Sequence, residues 1–297
     1  MNDRGAWPAL PLGQWKDTCA TLHMWAQIVG KILLKSTPLV NHWWNAAFHL
    51  TPRGWTTGPM RHGTRTFQID FDFLDHQIEI SASDAARRKL PLEPRAVAEF
   101  YALLMETLAS MELGTAVWPV PVEIPDSIPF ENDRGHASYD PEFARRHWEA
   151  QRLAARVLEE FRSRFLGKCS PVHFFWGSFD LCVTRFSGRR APERPGADSI
   201  TREAYSHEVI SAGFWPGGGA VPDAAFYAYA APSPDALSRE TVTPAESSFN
   251  AELGEFLLPY EVVARSRSPE RMLTEFLQST YEAGAKLLGW DRSALER

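Results

Sequence analysis

A chain of 297 residues, 44% hydrophobic and 23% charged, is long enough to bury an extensive core and has the composition of an ordinary soluble globular protein. Its formal net charge of -6 argues against the basic face that nucleic-acid binding needs, and no apolar run approaches the roughly 20 residues of a membrane span. Cys19, Cys169 and Cys182 form neither a disulfide framework nor a zinc spacing, and the start from Met1 to Pro8 lacks a signal-peptide core, so a cytoplasmic protein without nucleic-acid or membrane partners is expected.

The first predicted helix runs from about Gly13 to Lys35, because Trp15, Leu22, Trp25, Val29 and Ile32 recur at helical spacing. Residues 46–51 alternate as a strand, with Phe48 and Leu50 on one face, and Arg53-Gly54 turns it. In the clearest strand, Phe67, Ile69, Phe71 and Phe73 alternate with Gln68, Asp70 and Asp72, which predicts one buried and one wet face; Asp70, Asp72 and Asp75 thus read as solvated rather than as a metal loop. Leu74-Asp75-His76 then turns into a partner strand with Ile78 and Ile80 inward. Pro94 falls in the first turn of a helix striped by Val97, Tyr101, Leu104, Leu108 and Met111 and ended by Gly114.

From Trp118 to Pro141 five prolines mark a linker or long surface connection. Asp140-Pro141 is an N-cap followed by proline at the first helical position, and Trp148, Ala155, Leu158 and Phe165 continue that helix inward. His173 to Thr184 is apolar on both faces, which predicts one central strand containing Phe179 and Leu181. Arg185 to Gly196 reads as a basic loop. Strands are expected at Glu203 to Ala212, Phe226 to Ala230 and Glu255 to Tyr260, and Ser268-Pro269 opens the last helix, capped by Gly289.

One structural idea occurs twice along this chain. Residues 42–50, His-Trp-Trp-Asn-Ala-Ala-Phe-His-Leu, match residues 173–181, His-Phe-Phe-Trp-Gly-Ser-Phe-Asp-Leu, without gaps, and Gly30-Lys31 and Gly167-Lys168 each close a helical pattern ahead of them. The expected fold is therefore α+β: two pseudo-repeated units of helix, antiparallel strands and helix, residues 1–118 and 140–297, joined by the Pro-rich connection 119–139 into one compact body. The strand at Phe48 should match that at Phe179, and the helix at Phe100 that at Phe276.

The runs Gly30-Lys31, Asn41-His42-Trp43-Trp44, Pro171 to Asp180, Thr184 to Gly188, Tyr205 to Glu208 and Gly213 to Gly217 resemble the bacterial family catalogued as domain of unknown function 5996, over essentially the whole chain. The family carries no assigned activity, cofactor or catalytic residue, so the resemblance implies none here.

Candidate chemistry concentrates in the second half. Glu203 and His207 share one side whether the segment is a strand or a helix, and a carboxylate that orients a histidine is what a general base or metal ligand needs; a structural hydrogen-bonded pair is the alternative. His42, His49, His173 and Asp180 tempt as a metal cluster, but 42 and 49, like 173 and 180, differ by seven and face opposite sides of a regular strand, so no metal site is expected; Asp180 instead should satisfy Arg185 or a tryptophan N–H. Gly217-Gly218-Gly219 is a turn, and Ser178 lacks a nucleophile elbow. His173, Arg185, Glu203 and His207 are expected to converge as catalytic groups on a cavity walled by Trp215, Tyr227, Tyr229 and Trp176. Two function classes fit: a small-molecule-binding protein or enzyme with this aromatic pocket, or a structural or interaction module, for which a homodimer is the expected partner. Cofactor identity and enzymatic character are not legible in the residues.

Overall fold

A helix buried on all sides must be wrapped by other elements, and α1 (Lys16–Ser36) buries Leu22, Met24, Trp25, Ala26, Gln27, Ile28 and Leu33 around its girth. In the computed structural model, which describes residues 6–297, α1 lies at the centre of one continuous apolar core that runs from Trp7 to Trp290.

The first half forms an antiparallel sheet of β1 (His49–Leu50), β2 (Gly54–Thr56), β3 (Met60–His62), β4 (Arg65–Asp72), β5 (Gln77–Ala82) and β6 (Arg87–Pro91), in the order β1-β2-β4-β5-β6 with β3 also on β4. The predicted hairpin is present: Ile69 pairs with Ile80 and Phe71 with Ile78, all buried. Asp72 departs from the wet-face expectation. It is buried because its carboxylate accepts from Arg53 Nε (2.7 Å) and from the N–H groups of Leu74 and Asp75 (2.9 and 3.1 Å), tying the turn that closes the hairpin. Next, α2 (Val97–Ser110) starts three residues after Pro94. At α3 (Pro141–Ser163) the predicted cap is made, with the Asp140 carboxylate accepting from the N–H groups of Glu142 and Phe143.

The second sheet contains β7 (His173–Phe175), β8 (Asp180–Arg190), β9 (His207–Trp215), β10 (Ala225–Ala231), β11 (Ser248–Asn250) and β12 (Glu255–Pro259), antiparallel in the order β11-β12-β10-β9-β8-β7. The short α4 (Ser199–Ala204), capped by Asp198, precedes β9, and α5 (Tyr260–Arg265), α6 (Pro269–Leu287) and α7 (Arg292–Leu295) complete the chain. Among the described residues no helix is long and apolar enough to cross a membrane.

The architecture is thus α+β with two antiparallel sheets, and several local expectations change. The apolar run 173–184 is a hairpin rather than one central strand: Trp176 to Phe179 turn, Phe179 taking a left-handed φ of 62°, so that β7 is an edge strand and Phe179 sits in its turn. Apolar residues on both faces erased the period that would have exposed the turn. Residues 185–190 extend β8 instead of forming a loop, and Glu203 belongs to α4 rather than to a strand. The matched nonapeptides also adopt different backbones. The first is a 3-10 turn with His42 and Trp43 left-handed (φ 59° and 61°) before β1; the second is a strand before a turn. Phe48 lies opposite Phe174, where two backbone hydrogen bonds (2.8 and 3.0 Å) join the sheets.

Candidate ligand cavity

Strand alternation sorts the side chains of the second sheet. Leu181, Val183 and Arg185 face the core under α3 and α6, whereas Asp180, Cys182 and Thr184 face the other way with Ser211 and Gly213 of β9 and Tyr227 of β10. Over this second face pass the first turns of α1, bringing Lys16 and His23, the connection at Glu123 to Pro125, and the loop Pro216 to Ala220. They enclose a cavity of about 750 Å³ into which Trp215, Tyr227, Tyr229, Asp180 and Glu255 also project.

Two glycines make its floor. A Cβ at Gly213 would stand 2.2 Å from the Leu181 carbonyl oxygen and 2.6 Å from the Tyr227 hydroxyl, so only glycine lets Tyr227 reach across β9 to donate to the Asp180 carboxylate, which also accepts from Ser178 Oγ. A Cβ at Gly177 would lie 2.5 Å from Glu123 Oε1. Glu123 is brought there by Gln27 of α1, whose amide clamps the Val122 backbone (Oε1 accepting at 2.8 Å, Nε2 donating at 2.7 Å), and by its own left-handed φ of 58°.

Three carboxyl groups consequently line one cavity: Asp180 is buried, Glu255 half-buried and Glu123 exposed at the rim. Burial raises the proton affinity of Asp180 even against its two hydroxyl donors. Partial desolvation, reinforced by the Asp180 charge, lifts Glu255 to about 7, and desolvation by the cavity wall followed by the charges of Asp180 and Asp198 raises Glu123. Among the described residues none of the three has an ion-pair partner. His23 does not neutralise them: burial lowers it to about 4, and its Nε2–H donates to the carbonyls of Trp176 (3.0 Å) and Gly177 (2.9 Å). Tyr205 and Tyr229 bond hydroxyl to hydroxyl (2.9 Å) on the wall. Among the described residues no three His, Cys, Asp or Glu side chains are arranged to hold a metal ion.

Of the residues expected to wall a pocket, Trp215, Tyr227 and Tyr229 line this cavity. Trp176 does not. Its ring packs on α1 over Gly30, where a Cβ would fall 2.1 Å from it, so Gly30→Ala should overpack the α1 contact and lower stability by about 1–3 kcal/mol in chemical denaturation. The expected convergence of His173, Arg185, Glu203 and His207 is not found either. Arg185 lies on the helix-covered face, its guanidinium 3.4 Å from the Phe161 ring centre and 4.3 Å from that of Tyr281, and burial lowers its pKa to about 10. Arg185 stands five positions after Asp180, which puts them on opposite faces of β8, so Asp180 is satisfied by hydroxyls instead. His173 is buried on the edge strand against His49 (5.5 Å between ring centres) and Trp44 (6.0 Å), and burial takes it to about 3. His207 bonds to Ser206 Oγ (3.0 Å) and not to a carboxylate, because the chain passes from α4 into β9 between Glu203 and His207. The cavity carboxyls Glu123 and Glu255 escaped the sequence reading. Glu255 shares the alternation of Leu257 on β12, a usable signal; Glu123, inside the Pro-rich connection, had none.

A family model described as a family of unknown function, DUF5996, matches residues 7–297. No curated protein matches the chain, and no solved structure does.

Proposed function

We propose that this chain, which belongs to DUF5996, a family of unknown function, is a small-molecule-binding protein whose ligand is an organic cation held in the cavity between α1 and the second sheet. The observation that carries this reading is the trio Asp180, Glu123 and Glu255 on one cavity, Asp180 buried, Glu255 half-buried and Glu123 at the exposed rim, all raised in proton affinity and without a paired cation, beside the rings of Trp215, Tyr227 and Tyr229. An ammonium group supplies the missing charge, and aromatic faces attract cations through their quadrupoles.

Binding of a cation favours the ionised carboxylates, so protons leave as the ligand enters. With Glu255 near 7, affinity should fall by up to about tenfold per pH unit below neutrality for one released proton, and Glu255→Gln should remove that dependence. Calorimetry of primary, secondary and quaternary amines in buffers of different ionisation enthalpy reads both effects. The reading fails if neutral or anionic analogues bind as well as the amines, or if no amine raises the melting temperature, as a ligand selective for the native state must.

A further inference from the structure

A second cluster, of opposite charge, lies beyond the cavity on the same side of the second sheet. The backbone of Lys168 is pinned beside β8, its carbonyl accepting from the Phe186 N–H (3.0 Å). From there the ammonium lies 5.0 Å from the Phe186 ring centre and 5.4 Å from that of Trp44, and donates to His42 Nε2 (2.6 Å). The other nitrogen of His42, Nδ1, donates to the Glu203 carbonyl (3.0 Å), which fixes the neutral tautomer with Nε2 as acceptor. His207 stands 5.7 Å from His42, ring centre to ring centre, and Arg190 is its cross-strand partner.

Two features mark this cluster. First, His42 and Trp43 are non-glycine residues held consecutively in the left-handed region, a conformation that persists only where the surroundings impose it. Second, the cations are unneutralised. Glu208 pairs with Arg189 (2.7 Å) and accepts from Trp290, whereas among the described residues neither Lys168 nor Arg190 has a carboxylate partner, although both are exposed. After burial itself, the charges acting to depress the imidazoles are all positive: Lys168 and His207 on His42, Lys168 and Arg190 on His207.

We infer that Lys168, Arg190 and His207, backed by His42 and walled by Trp44, form an oxyanion site that takes a phosphoryl group. Two full positive charges with further N–H donors suit a phosphate dianion better than a single carboxylate. The site is separate from the cavity, which the hydroxyl-bonded Tyr205 and Tyr229 line. It stands whether or not the cavity binds a cation.

The test is titration of the full chain with inorganic phosphate at ionic strength held constant with chloride, by calorimetry and by the imidazole NMR signals of His42 and His207, with acetate and phenyl phosphate as parallel arms. Phosphate and phenyl phosphate should bind and move both signals while acetate binds at least about tenfold more weakly; Lys168→Ala with Arg190→Ala should weaken phosphate about tenfold or more, and Lys168→Arg should keep it within about threefold. Arg271→Ala, which removes an exposed arginine of α6, reports non-specific attraction. Acetate binding as tightly as phosphate, unmoved His42 and His207 signals, or an equal loss in Arg271→Ala would each overturn the assignment.

Discussion

His147→Leu should flatten the loss of stability on acidification, gaining about 2 kcal/mol over the native chain when the pH falls from 7 to 5. His147 comes from α3 and is entirely buried among Trp15 (5.1 Å between ring centres), Trp55 (5.9 Å) and Phe179 (5.3 Å), and neither ring nitrogen has a hydrogen-bond partner. Burial alone drives its pKa to about 3, against roughly 6.5 in the unfolded chain. Between those values the unfolded state takes a proton that the native state refuses, so this contribution is complete above the unfolded pKa and drains away as the pH falls. His173, at about 3, and His23, at about 4, act with the same sign.

The cavity carboxyls act the other way. Glu255, held near 7, keeps a proton in the native state that the unfolded chain releases above about 4.5, so its contribution weakens as the pH rises through that window. Because the two groups oppose one another, the informative quantity is the difference between variant and native denaturation free energies at pH 7 and at pH 5. Parallel curves would show that His147 is not kept neutral by burial. At pH 7 the leucine costs little, since it removes two unpartnered polar atoms from an apolar site.

The parts of this fold that the sequence displayed are those governed by short-range rules. The alternation Phe67, Ile69, Phe71 predicted β4 because only one face of that strand is buried, and Asp140-Pro141 predicted the start of α3 because a cap is a contact two or three residues long. Where burial is two-sided the period vanishes, and with it the turn at Phe179 and the true face of Arg185. The carboxyl site was hidden for another reason. Asp180 acquires its role from Tyr227, 47 residues on, reaching over Gly213, and Glu123 is placed by Gln27, which precedes it by 96 positions in a different element. Glu203 and His207 share a side in a helix and in a strand alike, but the chain changes from one to the other between them, so neither periodicity applied.

The misread turn yields the other large effect. Phe179→Ala should destabilise by about 3–5 kcal/mol, since the ring is 2% exposed and packed against His23 (4.5 Å between ring centres), Phe174 (5.2 Å) and Trp55 (5.8 Å), and its loss opens a void between α1 and the second sheet. The backbone makes a sharper claim. In a strand, glycine is worse than alanine by about 0.5–1 kcal/mol because it loses more chain entropy on folding. At φ 62° an L-residue bears a penalty of about 1–2 kcal/mol that glycine escapes, so Phe179→Gly should be no less stable than Phe179→Ala. Paired urea denaturation of the two variants decides the point: alanine clearly above glycine would return Phe179 to an extended strand, and a loss below about 1 kcal/mol in both would contradict the burial itself.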